Sequence, residues 1–141
     1  MQFTDDDVAA LAGGSMSQAV GYSPLTLAYI GDAVFELLAR THVLASGGNA
    51  QAAKLHKKSA ALVCAKAQSG AYFKLYDILN DEERNVLKRG RNARSFTVAK
   101  NASVADYRHA TGVEALFGYL FLSGNTERAA ELFRVIVTET I

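Results

Sequence analysis

The stretch that most constrains the fold is Pro24–Arg40, PLTLAYIGDAVFELLAR. At 100° per residue, Leu27, Ile30, Gly31, Ala33, Val34, Phe35, Leu37 and Leu38 fill an arc of roughly 200°. A helix apolar over that much of its circumference belongs in the middle of a bundle. Ser23 caps it and Pro24 occupies its first turn. Gly31, having no side chain, lets another backbone come close. Asp32, Glu36 and Arg40 stand four apart on the remaining strip, with Tyr29 among them. A bulky aromatic on a polar strip points to a partner surface. Taken alone, the strip also fits an ordinary solvated face, with Glu36–Arg40 a surface pair contributing about 0.3–0.5 kcal/mol and Asp32 in water.

The rest of the chain extends this to an all-α fold. Its 141 residues suit one domain with a real core. There is one proline, and no run of alternating β-branched residues marks a strand. Thr4 can cap a short helix through Asp5, Asp6 and Asp7, which Gly13, Gly14 and Ser15 end. Residues 1–22 therefore read as an N-terminal extension of short helix and loop, and residues 23–141 as the main domain. The first long helix should reach about Ala45. A second should run from Asn49 to Ser69–Gly70, and a shorter one over Ala71–Leu79. Asn80 with Glu83 is a capping-box arrangement, and the helix it starts should end at Lys88 or Arg89, before Gly90. A long helix is expected over Ser103–Leu122, and a last one over Thr126–Thr140 should cover the bundle.

Composition excludes several functional classes. The formal net charge is +1, so any nucleic-acid binding must come from local segregation of charge. Lys88, Arg89, Arg91 and Arg94, with Lys100 and Arg108 near in sequence, are the best phosphate-contact candidates. Gly90 is expected to turn the backbone between them, and Asn92 and Asn101 offer neutral donors. The blander account, cations complementing a helix dipole, covers Lys88 and Arg89 but not the whole run. Lys54, Lys57 and Lys58 read as a solvated face. Cys64, the only cysteine, lies in an apolar run and is expected to be a buried thiol, which fits a reducing cytoplasm. The acidic start MQFTDDDVAAL does not read as a signal peptide, and no apolar run approaches the roughly 18–20 residues of a membrane span.

Glu114 is the only charge in Val113–Leu122. Its wheel neighbours are Tyr107, Ala110, Phe117, Gly118 and Phe121. Burying a carboxylate there unpaired costs several kcal/mol, so it needs a cation, a hydrogen-bond set or a metal. A salt bridge to Arg108 or to a residue of another helix is one solution. A divalent ion shared with Asp32 is the other, and oxygen ligands favour magnesium or manganese. Periodicity leaves both open.

Residue identity narrows the choice. Ile30-Gly31-Asp32-Ala33-Val34-Phe35-Glu36 resembles the signature helix of the ribonuclease III family. Arg89-Gly90-Arg91-Asn92-Ala93, Lys100-Asn101, Tyr107-Arg108-His109-Ala110-Thr111-Gly112 and Glu114-Ala115-Leu116-Phe117-Gly118-Tyr119-Leu120 are similar to its Mini-ribonuclease III branch, which lacks a double-stranded-RNA-binding domain. The resemblance implies an all-helical endonuclease domain, cytoplasmic and homodimeric, that cuts duplex RNA with magnesium (manganese substituting). Asp32 and Glu114 match the catalytic, metal-binding carboxylates. Tyr29 matches an aromatic that packs across the dimer interface. The substrate it implies is the stem of the large-subunit (23S) ribosomal RNA precursor. Two family carboxylates are replaced, by Ala28 and Thr111, and Glu36 and Asp106 are the candidate substitutes. Asp106 lies about 80° round its helix from Glu114, which argues against a shared ion. Those losses motivate the alternative, a non-catalytic helical RNA-binding factor in ribosome assembly. Since a carboxylate-bound ion can activate water itself, His42, His56 and His109 are expected at surfaces or helix ends without a catalytic role.

Overall fold

The structure is a computed structural model that describes residues 21–94 and 103–138. The expected N-terminal helix and the Lys100–Asn101 pair lie outside the described residues. Among those described there are six helices and no strand: α1 (Pro24–Gly47), α2 (Ala52–Val63), α3 (Ala65–Tyr76), α4 (Asp81–Asn92), α5 (Val104–Leu122) and α6 (Thr126–Thr138). No helix among them is long and apolar enough to cross a membrane.

The caps fall where the side chains call for them. Ser23 accepts from the Thr26 N–H at the start of α1, and Ser103 from the Asp106 N–H at the start of α5. The Asn80–Glu83 capping box is complete in both directions, at 2.8 and 3.0 Å.

Three boundaries differ from expectation. The stop expected at Ser69–Gly70 is absent, since α3 runs through both residues and ends at Tyr76 rather than Leu79. The helix expected from Asn49 to Gly70 breaks at Cys64, whose ψ of 157° is extended. The Gln68 side chain donates to the Val63 carbonyl at 2.9 Å and closes that end. The break also lifts Cys64 out of the core: the thiol is exposed, not buried. Nor does α4 stop before Gly90. It continues to Asn92, because Gly90 faces α5 at a crossing where a Cβ would sit 2.8 Å from Ala115 Cβ and from Gly112 Cα. The glycine is there for close packing, so it does not turn the chain.

α5 is the central element. Val113, Ala115, Leu116 and Phe117 are fully buried, and α1, α3 and α4 all pack on it. Phe35 of α1 meets Phe117 edge-on at 5.1 Å and Phe133 of α6 at 5.3 Å. Truncating such a ring to alanine costs about 3–5 kcal/mol.

The wide apolar arc of α1 divides. Leu27, Gly31 and Phe35 of the arc are buried, whereas Ala33 and Leu37 stay exposed. One helix-packing seam cannot cover 200° of circumference, so the expectation that the whole arc was core is corrected.

Candidate active site

The site begins with two glycines. At the α1–α5 crossing, a Cβ on Gly31 would lie 1.6 Å from the Glu114 carbonyl oxygen, and one on Gly118 2.0 Å from that of Leu27. The two backbones therefore touch, closer than any side-chain-bearing pair allows. Asp32 follows Gly31, and Glu114 stands one turn before Gly118. The close crossing thus aims both carboxylates at one spot.

Electrostatics bear this out. Burial, then the Asp32 charge, then a hydrogen bond with Asp32 push the Glu114 carboxyl up to about 8. Two carboxylates that cannot both ionise comfortably need a proton or a cation between them. Among the described residues neither is in an ion pair, so the expected alternative, a bridge from Glu114 to Arg108, does not form. The donor set consists of acidic oxygens, partly buried and mutually repelling, and it fits a hard divalent cation.

Neither candidate substitute joins them. Among the described residues no three of His, Cys, Asp and Glu gather where they could hold a metal. Glu36 is held by Arg40 at 2.8 Å, as an ordinary surface reading would have it. Asp106 lies in the first turn of α5. Ala28 is buried in an apolar cluster with Leu27, Val86 and Ala115, and the Thr111 hydroxyl donates to its own helix at the Tyr107 carbonyl.

Residues 25–125 match the Ribonuclease III domain model. The chain belongs to the ribonuclease III family. Members of that family are endoribonucleases that act on double-stranded RNA. Mini-ribonuclease 3 of Brevibacillus brevis is 50% identical over 110 residues, 78% of this chain and 81% of that one. Mini-ribonuclease 3 of Clostridium tetani is 47% identical over 115 residues, 82% of this chain and 76% of its own. A crystal structure of a Fusobacterium nucleatum protein superposes with a TM-score of 0.76 at 31% identity, covering 85% of this chain and 95% of that one.

Within this ribonuclease III domain the basic residues do not form the single cluster their spacing suggested. Because α4 is helical through Asn92, Arg89 and Arg91 lie about 200° apart on it. Arg89, Asn92, Arg94 and Arg108 are exposed. Arg91 is half-buried: its Nη1 donates to the Tyr72 hydroxyl at 2.9 Å and its Nε to the Asn92 side chain at 3.1 Å.

His109 also departs from expectation. It is no free surface histidine but lies 4.6 Å from the Tyr72 ring and 4.8 Å from Phe73, with Nδ1 3.1 Å from the Ser69 hydroxyl. Burial, then Arg91, hold it below the usual histidine range, with Asp106 opposing. This aromatic anchor was missed from sequence. Its signal was there in two ridges, Tyr72–Tyr76 on α3 and Arg84–Lys88–Arg91 on α4, each at helical spacing.

Proposed function

We propose that this ribonuclease III domain, residues 23–141, is a magnesium-dependent endoribonuclease that hydrolyses duplex RNA, with Asp32 and Glu114 as the catalytic carboxylates that hold the ion. The observation that carries the reading is the Gly31–Gly118 crossing, which presses Glu114 against Asp32 and leaves the pair short of positive charge. A bound magnesium or manganese ion would supply an activated water and neutralise charge on the phosphate. Asp32, exposed, faces the solvent from which RNA arrives. Glu114, more enclosed, would hold the ion from the inner side. Glu36 and Asp106 stand outside the first set of ligands.

Arg89, Arg91, Asn92, Arg94, Lys100, Asn101 and Arg108 are the proposed RNA contacts, reading phosphate and 2′-hydroxyl as A-form duplex requires. Tyr29, 82% exposed, with Leu25 at 40% and Leu37 at 67% and the exposed Ala33 between Tyr29 and Leu37, makes an apolar ridge at four-residue spacing along α1. Large apolar side chains in such a row fit a buried interface better than water, and we assign it to the homodimer contact. The motif resemblance of Asp32, Glu114 and their flanking residues leads us to assign the stem of the large-subunit ribosomal RNA precursor as the substrate and the cytoplasm as the place of action.

Incubating a labelled precursor stem with and without magnesium, for the wild type and Asp32→Asn, tests the reading. Cleavage should require the ion and vanish in the variant, which should still fold and bind RNA. Retained cleavage by Asp32→Asn in magnesium would remove Asp32 from the site. Stem binding without cutting under any divalent ion would favour instead the non-catalytic ribosome-assembly role.

A further inference from the structure

On the flank formed by α3, α4 and the start of α5, aromatic rings and cations alternate. Phe73 is 61% exposed. Its ring lies 5.3 Å from Tyr72 and 4.8 Å from His109, which in turn lies 4.6 Å from Tyr72. Beside this stack Arg91 is anchored on the Tyr72 hydroxyl, and Lys88 stands 5.5 Å from the centre of the Tyr76 ring. On the other side Lys66, exposed, shares the Phe73 stripe of α3 two turns earlier.

Each part has a bland explanation, since cations commonly cap tyrosine rings. Together they leave something unexplained. Tyr72 is buried and Tyr76 half-buried, so core packing accounts for them, but nothing in the fold needs Phe73 to stand in water. An exposed ring fixed edge-on by two others is a rigid platform, and it is bracketed by Lys66 on one side and by Arg91 and Lys88 on the other. Asp106 is the carboxylate whose charge reaches His109, with Arg91 opposing it. Duplex RNA offers such a platform no open base, because its bases are stacked and paired. An unpaired strand does offer one, and aromatic stacking with flanking cations is how single strands are held without sequence preference.

We propose that Phe73, backed by His109 and Tyr72 and flanked by Lys66, Arg91 and Lys88, is a second RNA-binding surface that stacks an unpaired nucleobase of a strand leaving the duplex. This rests on the endoribonuclease reading and shares Arg91 with the proposed duplex contacts, but concerns a flank other than the one that carries Asp32 and Glu114. On α5, His109 and Glu114 are five residues apart, about 140° around the helix.

The test compares three labelled substrates: a blunt RNA duplex, the same duplex with a short single-stranded adenosine tail, and one with an abasic tail of equal length. The wild type should bind the adenosine-tailed duplex roughly 5- to 150-fold tighter than the blunt one, the range expected for one stacked base. The abasic tail should give less. In Phe73→Ala the tailed-to-blunt ratio should fall towards one, and Phe73→Trp should restore it; thermal melts check that both variants fold. A wild type that cuts duplex RNA without any tail preference, or a Phe73→Ala variant that keeps the preference, overturns the proposal. If the wild type cuts no duplex in magnesium, the failure lies instead in the endoribonuclease reading.

Discussion

Glu83 and Glu114 are both carboxylates drawn into the bundle, and they meet opposite fates. Glu83, 3% exposed, receives the Asn80 backbone N–H and two guanidinium donors of Arg128, at 2.9 and 3.0 Å. Burial alone would raise its pKa, but the bonds from Arg128 and Asn80 outweigh burial and hold it low. Arg128 also donates to the Ile78 carbonyl, so the pair clasps the α3–α4 turn to α6. Among the described residues Glu114 has no such partners, and the ionisable group that acts on it is another carboxylate, Asp32. A satisfied buried charge reports architecture. An unsatisfied one facing its own sign reports a ligand.

The sharpest way to break this comparison is Glu114→Gln. If the carboxylate is an ion ligand, cleavage of duplex RNA in magnesium should drop to background, as for Asp32→Asn, with the fold unchanged by circular dichroism. Activity within a few-fold of wild type would make Glu114 merely structural.

The next effect is on stability without metal. The folded Glu114 pKa, about 8, lies above the ordinary value of 4.5, so folding favours the protonated acid. Its contribution is present below about pH 4.5 and is lost as pH rises towards 8. In EDTA the wild type should therefore lose up to a few kcal/mol across that window relative to Glu114→Gln, which stays neutral. Denaturant melts at several pH values measure the difference. Adding magnesium at pH 8 should restore wild-type stability but not affect the variant. Parallel curves for the two proteins in EDTA would mean that the carboxylates do not repel as described.

How much of this was legible beforehand follows the physics of each signal. Glu114 could be singled out because it is a lone charge in an apolar run, whereas Asp32, one of several polar residues on a strip, stood out only through the family motif. Their meeting could be read only through family likeness, since a wheel does not say which helix crosses which. The Asn80–Glu83 box was legible because capping is local in sequence. Arg128, 45 residues away, gave no local sign of its role. Gly90 misled because glycine ends helices in isolation, whereas here Ala115 and Gly112 press against it and the helix continues. Cys64 misled in a related way. Its apolar neighbours looked like core, but the break between α2 and α3 falls on Cys64 itself, which is exposed there.

The smallest expected effect sharpens the other half of the comparison. Glu83→Gln keeps the side-chain volume and one acceptor, so the cap can persist, but Arg128 loses its charged partner at the buried end. Arg128 retains Glu131 at 3.1 Å and partial access to water, which limits the loss. About 1.5–3 kcal/mol is expected, the usual range for hydrogen bonds to charged groups, or a fall of several degrees in Tm. Cleavage per folded molecule should be unaffected. The pH dependence should also be opposite to that of Glu114. Because the folded Glu83 pKa is depressed, its contribution is present above about pH 4.5 and lost as pH falls through the folded value. Acid melts of wild type and Glu83→Gln should therefore converge, whereas the alkaline melts of wild type and Glu114→Gln in EDTA should diverge. Two carboxylates on neighbouring helices would then pull the stability curve in opposite directions, one because it is satisfied and the other because it is not.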